Sequence, residues 1–180
     1  MGFCKSVLKL FGWRVLCTVP DYPKSIVCVA PHTSNWDFVL GEFAYWSLGR
    51  KAGFLMKESW FFFPMKYLFR ALGGIPVSRK RGGHSLTDVI IHKFNESSRL
   101  CLAITPEGTR SLVTEWHTGF LHIAYEAGIP IVLGAIDASR RLVHLEKTFI
   151  PTGDIQADMR AVKDYYRRFK GIRPGKFSAE

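Results

Sequence analysis

Continuous apolar runs alternate along this chain with segments of helical periodicity. IVCVA at 26–30, LCLAI at 100–104 and IVLGAI at 131–136 read as short buried strands. FLMK after Gly53 is a further strand, and Val143, Leu145, Lys147 and Phe149 alternate as an edge strand does. Helical spacing follows the polar turn HTSNWD at Phe38, Val39, Leu40 and Phe43, and recurs after Ser85 at Leu86, Val89, Ile90 and Phe94. A helix over 119–126 is ended by Gly128, and Ile155, Met159, Val162, Tyr166 and Phe169 mark one face of a last helix whose other side carries Arg160, Lys163, Arg167 and Lys170. The most aromatic segment, WFFFPMKYLF at 60–69, contains Pro64, which breaks or kinks a helix unless it sits in the first turn. Strands alternating with helices predict an α/β fold: a single layered domain over 21–172, a central mixed sheet flanked by helices, then a loose tail over 173–180. No repeat, low-complexity tract or linker divides it.

The N-terminal stretch, 1–20, is expected to form an amphipathic helix. Within 3–16, Phe3, Val7, Leu10 and Phe11 recur at helical spacing, with Lys5 and Lys9 elsewhere on the wheel. Such a helix lies either in a lipid headgroup layer, with Trp13 at the polar boundary, or docked on its own domain. Lys5, Lys9 and Arg14 interrupt the apolar stretches too often for a membrane span or an ordinary secretory leader. A formal charge of +10 on 180 residues draws the chain toward anions: nucleic acid, acidic lipid headgroups or phosphate-bearing small molecules. Cysteines at 4, 17, 28 and 101 form no CxxC pair, which fits a reducing cytoplasm; Cys28 and Cys101 read as small buried apolar groups.

Three short constellations carry chemistry. His32 and Asp37 stand five apart, so on one continuous helix they would face different ways; they meet only if His32 precedes the helix and Asp37 lies in its first turns. A carboxylate bonded to one imidazole nitrogen fixes the tautomer and frees the other nitrogen to take a proton from an alcohol. Spacing alone is equally met by a surface histidine beside a helix-capping aspartate. GGIPVSR ends on Arg79, a rigid fork of donors for phosphate oxygens, although Arg79, Lys80 and Arg81 also read as a solvated face. TPEGTRS at 105–111 leaves a buried strand in a sharp turn: Thr109 and Ser111 bring hydroxyls, Arg110 a phosphate donor, and Glu107 a carboxylate expected to organise the arginines.

His32-Thr33-Ser34-Asn35-Trp36-Asp37 resembles the His-x4-Asp motif of the glycerolipid acyltransferase superfamily, the group of the bacterial 1-acylglycerol-3-phosphate acyltransferases. Gly73 to Arg79 resembles that family's second block, Pro106 to Ser111 its third, and Gly128-Ile129-Pro130-Ile131-Val132 its fourth, in the family's order over 32–132. The resemblance implies that His32 and Asp37 are the catalytic pair, and that Arg79 with Glu107, Gly108, Thr109 and Arg110 holds the acceptor's phosphate. It implies that Ile129, Pro130, Ile131 and Val132 shape or support the acyl pocket. It further implies an acyl-CoA or acyl-carrier-protein donor, a lysophospholipid acceptor, no bound cofactor and no covalent acyl-enzyme. Two departures stand out: Trp116, His117 and Thr118 occupy the stretch where relatives often carry lysine, and Pro76 replaces a large apolar residue.

Relatives with N-terminal spanning helices have their attachment built in. Here Phe3, Leu10 and Phe11, with Trp60, Phe61 and Phe62, are the expected contacts with an anionic membrane surface, on the inner face of the cell membrane. His84, His92, His117, His122 and His144 match no metal signature and are read as structural or surface histidines. A hydrolase using Ser34 or Ser78 lacks a G-x-S-x-G elbow. A basic nucleic-acid or membrane module explains the charge but gives no reason for the His-x4-Asp turn, so nucleic acid is not an expected partner.

Overall fold

The computed structural model describes residues 2–77 and 85–180. In chain order the elements are α1 (Gly2–Leu10), β1 (Arg14–Cys17), β2 (Lys24–Ala30), α2 (Asn35–Ser47), β3 (Gly53–Lys57), α3 (Met65–Ala71) and β4 (Gly74–Val77). There follow α4 (Leu86–Glu96), β5 (Leu100–Ile104), α5 (Gly119–Glu126), β6 (Ile131–Asp137), β7 (Leu142–Phe149) and α6 (Ile155–Tyr166). Among the described residues the strands form one sheet in the order β1-β7-β6-β2-β5-β3-β4, and every pairing is parallel except β6 with β7. The α/β class with a mixed sheet is therefore observed.

β2 is apolar from Ile26 to Ala30 because both its faces are covered there. Ile26, Cys28 and Ala30 pack in a core with Phe94 of α4, Phe120 and Leu121 of α5, and Val162 and Tyr166 of α6. Val27 points the other way, into a smaller core with Val132, Leu145 and Tyr45 of α2. One face of the sheet thus carries three helices, and the other is roofed by α2, against which α1 packs.

Several expectations change. The N-terminal helix stops at Leu10, and Arg14–Cys17 is instead β1, paired in parallel with β7 from Arg14↔Leu142 to Cys17↔Leu145. β7 is consequently an interior strand and β1 the edge. At the opposite side β4 is the outermost strand among the described residues, a position that tolerates Pro76. Residues 173–180 are not loose. Phe177 stacks near Trp116 with ring centroids 5.9 Å apart, the Trp116 indole N–H donates to the Ser178 carbonyl at 3.1 Å, and Ala179 is buried. Trp116, standing where relatives often carry lysine, is therefore an anchor for the C-terminal segment.

Candidate active site

β2 delivers the chain to the site and α2 takes it away. Ser34 caps α2, its Oγ accepting the Trp36 N–H at 3.3 Å. Asp37, the third residue of α2, returns the favour: its Oδ2 accepts the backbone N–H of both Thr33 and Ser34 at 2.6 Å. The five-residue spacing is thereby resolved as geometry requires, with His32 two residues before the cap and Asp37 in the first turn. His32 Nδ1 lies 3.8 Å from Asp37 Oδ2; the aspartate side chain is fully buried and the imidazole is 18% exposed. Asp37 Oδ1 is buried with no hydrogen-bond partner among the described residues.

Glu107 differs from its expected place beside the arginines. It is buried, and its Oε1 accepts the backbone N–H of His32 at 2.6 Å, tying the turn after β5 to the turn after β2. Gly108 holds that turn through a backbone of φ +64, and a Cβ there would stand 2.6 Å from the His117 ring. A third support comes from the C-terminal segment, where the Arg173 N–H donates to Thr33 Oγ1 at 3.0 Å and Gly171 sits so close that a Cβ would come within 2.8 Å of Thr33 Cγ2.

Electrostatics favour a neutral imidazole. Burial, then the nearby charge of Arg110, hold the His32 pKa below its ordinary value. Burial pushes Asp37 up, opposed by the amide bonds from Ser34 and Thr33. Glu107 is raised to about 7, chiefly by burial, against the lowering effect of the His32 N–H.

His32, Asp37 and Arg110 line a cavity of about 620 Å³ between α2 and the sheet. Its walls are mostly apolar: Val27 and Val29 from β2, Phe38 and Tyr45 from α2, Phe54 from β3, Ile136 from β6. The fourth block does not line it among the described residues. Ile131 is in the core on the far face of the sheet, Ile129 is buried there too, and the Pro130 carbonyl accepts the Ile26 N–H at 3.1 Å. Val132 packs behind Val27, Tyr45 and Leu145, which do line the cavity, so this block supports rather than shapes it. Thr109 Oγ1 accepts the Ser111 N–H at 3.3 Å within the turn. Arg79 lies outside the described residues.

Of the proposed membrane contacts, Phe3, Leu10, Phe11, Trp60 and Phe62 are exposed, whereas Phe61 turns inward against Phe69 with ring centroids 5.9 Å apart. Phe63 and Tyr67 join the exposed set. Among the described residues no helix is long and apolar enough to cross a membrane. The residues missed by sequence are Glu107 as the partner of the His32 amide, and Glu42, which lines the cavity. The Ser34-x-x-Asp37 capping box was a readable signal for the first turn of α2; neither glutamate had one.

A histidine held toward its neutral form, backed by a buried carboxylate and lining an apolar cavity together with a guanidinium, suits the transfer of an acyl chain to a hydroxyl. The Acyltransferase family model matches residues 18–136, well over half of the chain, from the segment before β2 almost to the end of β6. The chain belongs to the glycerolipid acyltransferase superfamily, the His-x4-Asp acyltransferases, and is an O-acyltransferase. Its fold is similar to the crystal structure of the 1-acyl-sn-glycerophosphate (LPA) acyltransferase PlsC from Thermotoga maritima, with a TM-score of 0.59 over 94% of this chain and 79% of that one at 19% identity. No curated protein is significantly similar to the chain.

Proposed function

We propose that this acyltransferase moves a fatty acyl group from acyl-CoA or acyl-carrier protein to the hydroxyl of a lysophosphatidate-like acceptor at a membrane surface. The observation that carries the reading is the His32–Asp37 turn at an apolar cavity with Arg110 on the same lining. The acyl chain occupies the cavity, and the acceptor's phosphate is held by Arg110, with Arg79 as a second donor.

With Nδ1 toward Asp37, His32 presents Nε2 to the acceptor. Nε2 takes the proton as the hydroxyl oxygen attacks the thioester carbonyl carbon. Collapse of the tetrahedral intermediate breaks the C–S bond, and the imidazolium returns its proton to the leaving thiolate. Asp37 stabilises the imidazolium; the 3.8 Å gap closes as charge develops, and catalytic hydrogen bonds are often long before substrate binds. Glu107 fixes the backbone of His32 and so the position of the ring, without touching the reacting atoms. Attachment to the membrane is peripheral, through Phe3, Leu10 and Phe11 of the N-terminal segment and through Trp60, Phe62 and Phe63, with Lys5 and Lys9 reaching acidic headgroups.

The test is product analysis with labelled acyl-CoA and acyl-carrier protein against lysophosphatidate, glycerol phosphate and other lysolipids. Diacylated phosphatidate as the main product is expected. Free fatty acid alone, or transfer only to acceptors lacking phosphate, would overturn the assignment.

A further inference from the structure

We infer that the acceptor's own acyl chain lies in a second apolar groove, across α2 from the donor cavity, so that one helix keeps the two chains apart beside one base. The inference rests on the proposed function. Direct transfer brings donor and acceptor to His32 together, and a lysolipid acceptor carries a chain that the donor cavity, already filled, leaves without a place. α2 is apolar on two sides. Trp36, Val39, Leu40 and Phe43 stand at i, i+3, i+4 and i+7 and form one stripe. They line a groove of about 510 Å³ between α1 and α2, with Val7, Phe11 and Ile172 as further walls. None of the four stripe residues is buried although α1 packs against this helix, and Trp36 is 66% exposed. An apolar stripe left open in this way suits a lipid chain.

The groove begins beside the base. Asn35 lines the donor cavity, Trp36, the next residue, lines the groove, and Val39 borders both. Ile172 stands between Gly171, which is packed against Thr33, and Arg173, whose N–H donates to Thr33 Oγ1 at 3.0 Å. The groove therefore reaches the turn that carries His32. An acceptor with its hydroxyl at Nε2 and its phosphate at Arg110 sends its chain over Asn35 and Trp36, both exposed, into the groove. The one charged side chain among the described lining residues is Arg141, whose guanidinium donates to the Phe11 carbonyl at 3.4 Å. Such walls suit hydrocarbon better than an ionic headgroup. The volume is close to the 620 Å³ of the donor cavity, so a chain of similar bulk has room.

The experiment measures kcat/KM for 1-acyl lysophosphatidates lengthened stepwise from acetyl to decanoyl, all kept monomeric and free of membrane, with one acyl thioester donor. In the wild type, kcat/KM is expected to rise by about twofold or more for each methylene that the groove buries. Val7→Trp fills the groove from α1 and is expected to end that rise, while the dependence on donor chain length stays as in the wild type. Trp36→Ala, at an exposed position, is expected to make the rise shallower and serves if the first variant does not fold. A flat acceptor series in the wild type overturns the inference alone, as does a rise that persists unchanged in the folded variants. Variants that flatten the donor series instead overturn it too, because the groove then holds the donor chain. Variants that lose binding to anionic liposomes but keep the acceptor series assign the groove to the bilayer and overturn it likewise. No transfer to any phosphate-bearing acceptor overturns the proposed function and the inference with it.

Discussion

In the proposed mechanism His32 serves as the base, and its burial suits it to that role. Desolvation and the charge of Arg110 both disfavour its imidazolium, so the folded pKa lies below the usual 6.5. The neutral, proton-accepting form therefore persists to lower pH than in a free histidine. The acidic limb of kcat/KM for acyl transfer is expected to have its midpoint below pH 6.5, and a midpoint above it would mean another group governs the step. His32→Ala should reduce kcat by about 10²-fold or more, the scale of a lost general base, while circular dichroism and melting stay near wild type, because the side chain belongs to a turn and not to a core. Glu42 gives a residue-scale stability test with an opposite sense to an ordinary salt-bridged carboxylate. Its folded pKa of about 7 exceeds the ordinary 4.5, so between those values the folded state binds more protons than the unfolded one. The stability contributed by the protonated form is then lost as pH rises through that window. Glu42→Gln removes the titration, so its melting temperature relative to wild type should climb from pH 4.5 to pH 7. A constant difference across the window would show that the carboxyl is solvated.

Among the elements, what the sequence made legible was whatever local chemistry enforces. The apolar runs that became β2, β5 and β6 could be read because a strand covered on both faces admits few polar residues. The His-x4-Asp turn could be read because a helix start needs its cap, and Ser34 with Asp37 supplies one. What was not legible depends on partners distant in sequence. Arg14–Cys17 extends a helical-looking pattern, yet its backbone pairs with Leu142–Leu145, a ladder that no local periodicity announces. Glu107 looked like a companion of neighbouring arginines, and only the fold brings it to the His32 amide, 75 residues away. The C-terminal segment has the composition of a loose end but closes over Trp116 and hydrogen-bonds Thr33 beside the base. This gives an element-scale prediction. Removing residues 173–180 should lower the melting temperature by uncovering Trp116, and should lower kcat as well by freeing the Thr33 turn. A truncated protein with unchanged kcat would show that the capping box alone holds His32 in place. The fluorescence of Trp116 provides the accompanying signal of exposure.

At the scale of the whole molecule, exposed apolar side chains and net charge combine. The charge of +10 supplies a long-range attraction to acidic surfaces, and the exposed rings and aliphatic chains supply the short-range term. α1 divides its own side chains between these tasks: Cys4 and Leu8 are buried against the domain, whereas Phe3 is 75% and Leu10 81% exposed. The two placements open to the N-terminal helix are thus not exclusive, because docking uses one side and leaves the other for a lipid surface. Phe11, beyond the end of α1, and the exposed aromatics of the 60–69 segment enlarge the apolar area available. Each lysine or arginine held near an acidic bilayer contributes about 1 kcal/mol, an attraction that salt screens. Co-sedimentation with liposomes should therefore be strong when they contain anionic lipid, weaker with neutral ones, and reduced by added salt. Changing Phe3, Leu10 and Phe11 together to serine should weaken binding without unfolding the protein, because all three are exposed while Cys4 and Leu8 keep α1 in place. A parallel change of Trp60, Phe62 and Phe63 measures the second surface. If the first triple variant sediments with anionic liposomes as wild type does and the second does not, attachment belongs to the aromatic segment. If neither loses binding, apolar insertion of these two surfaces does not contribute to liposome binding.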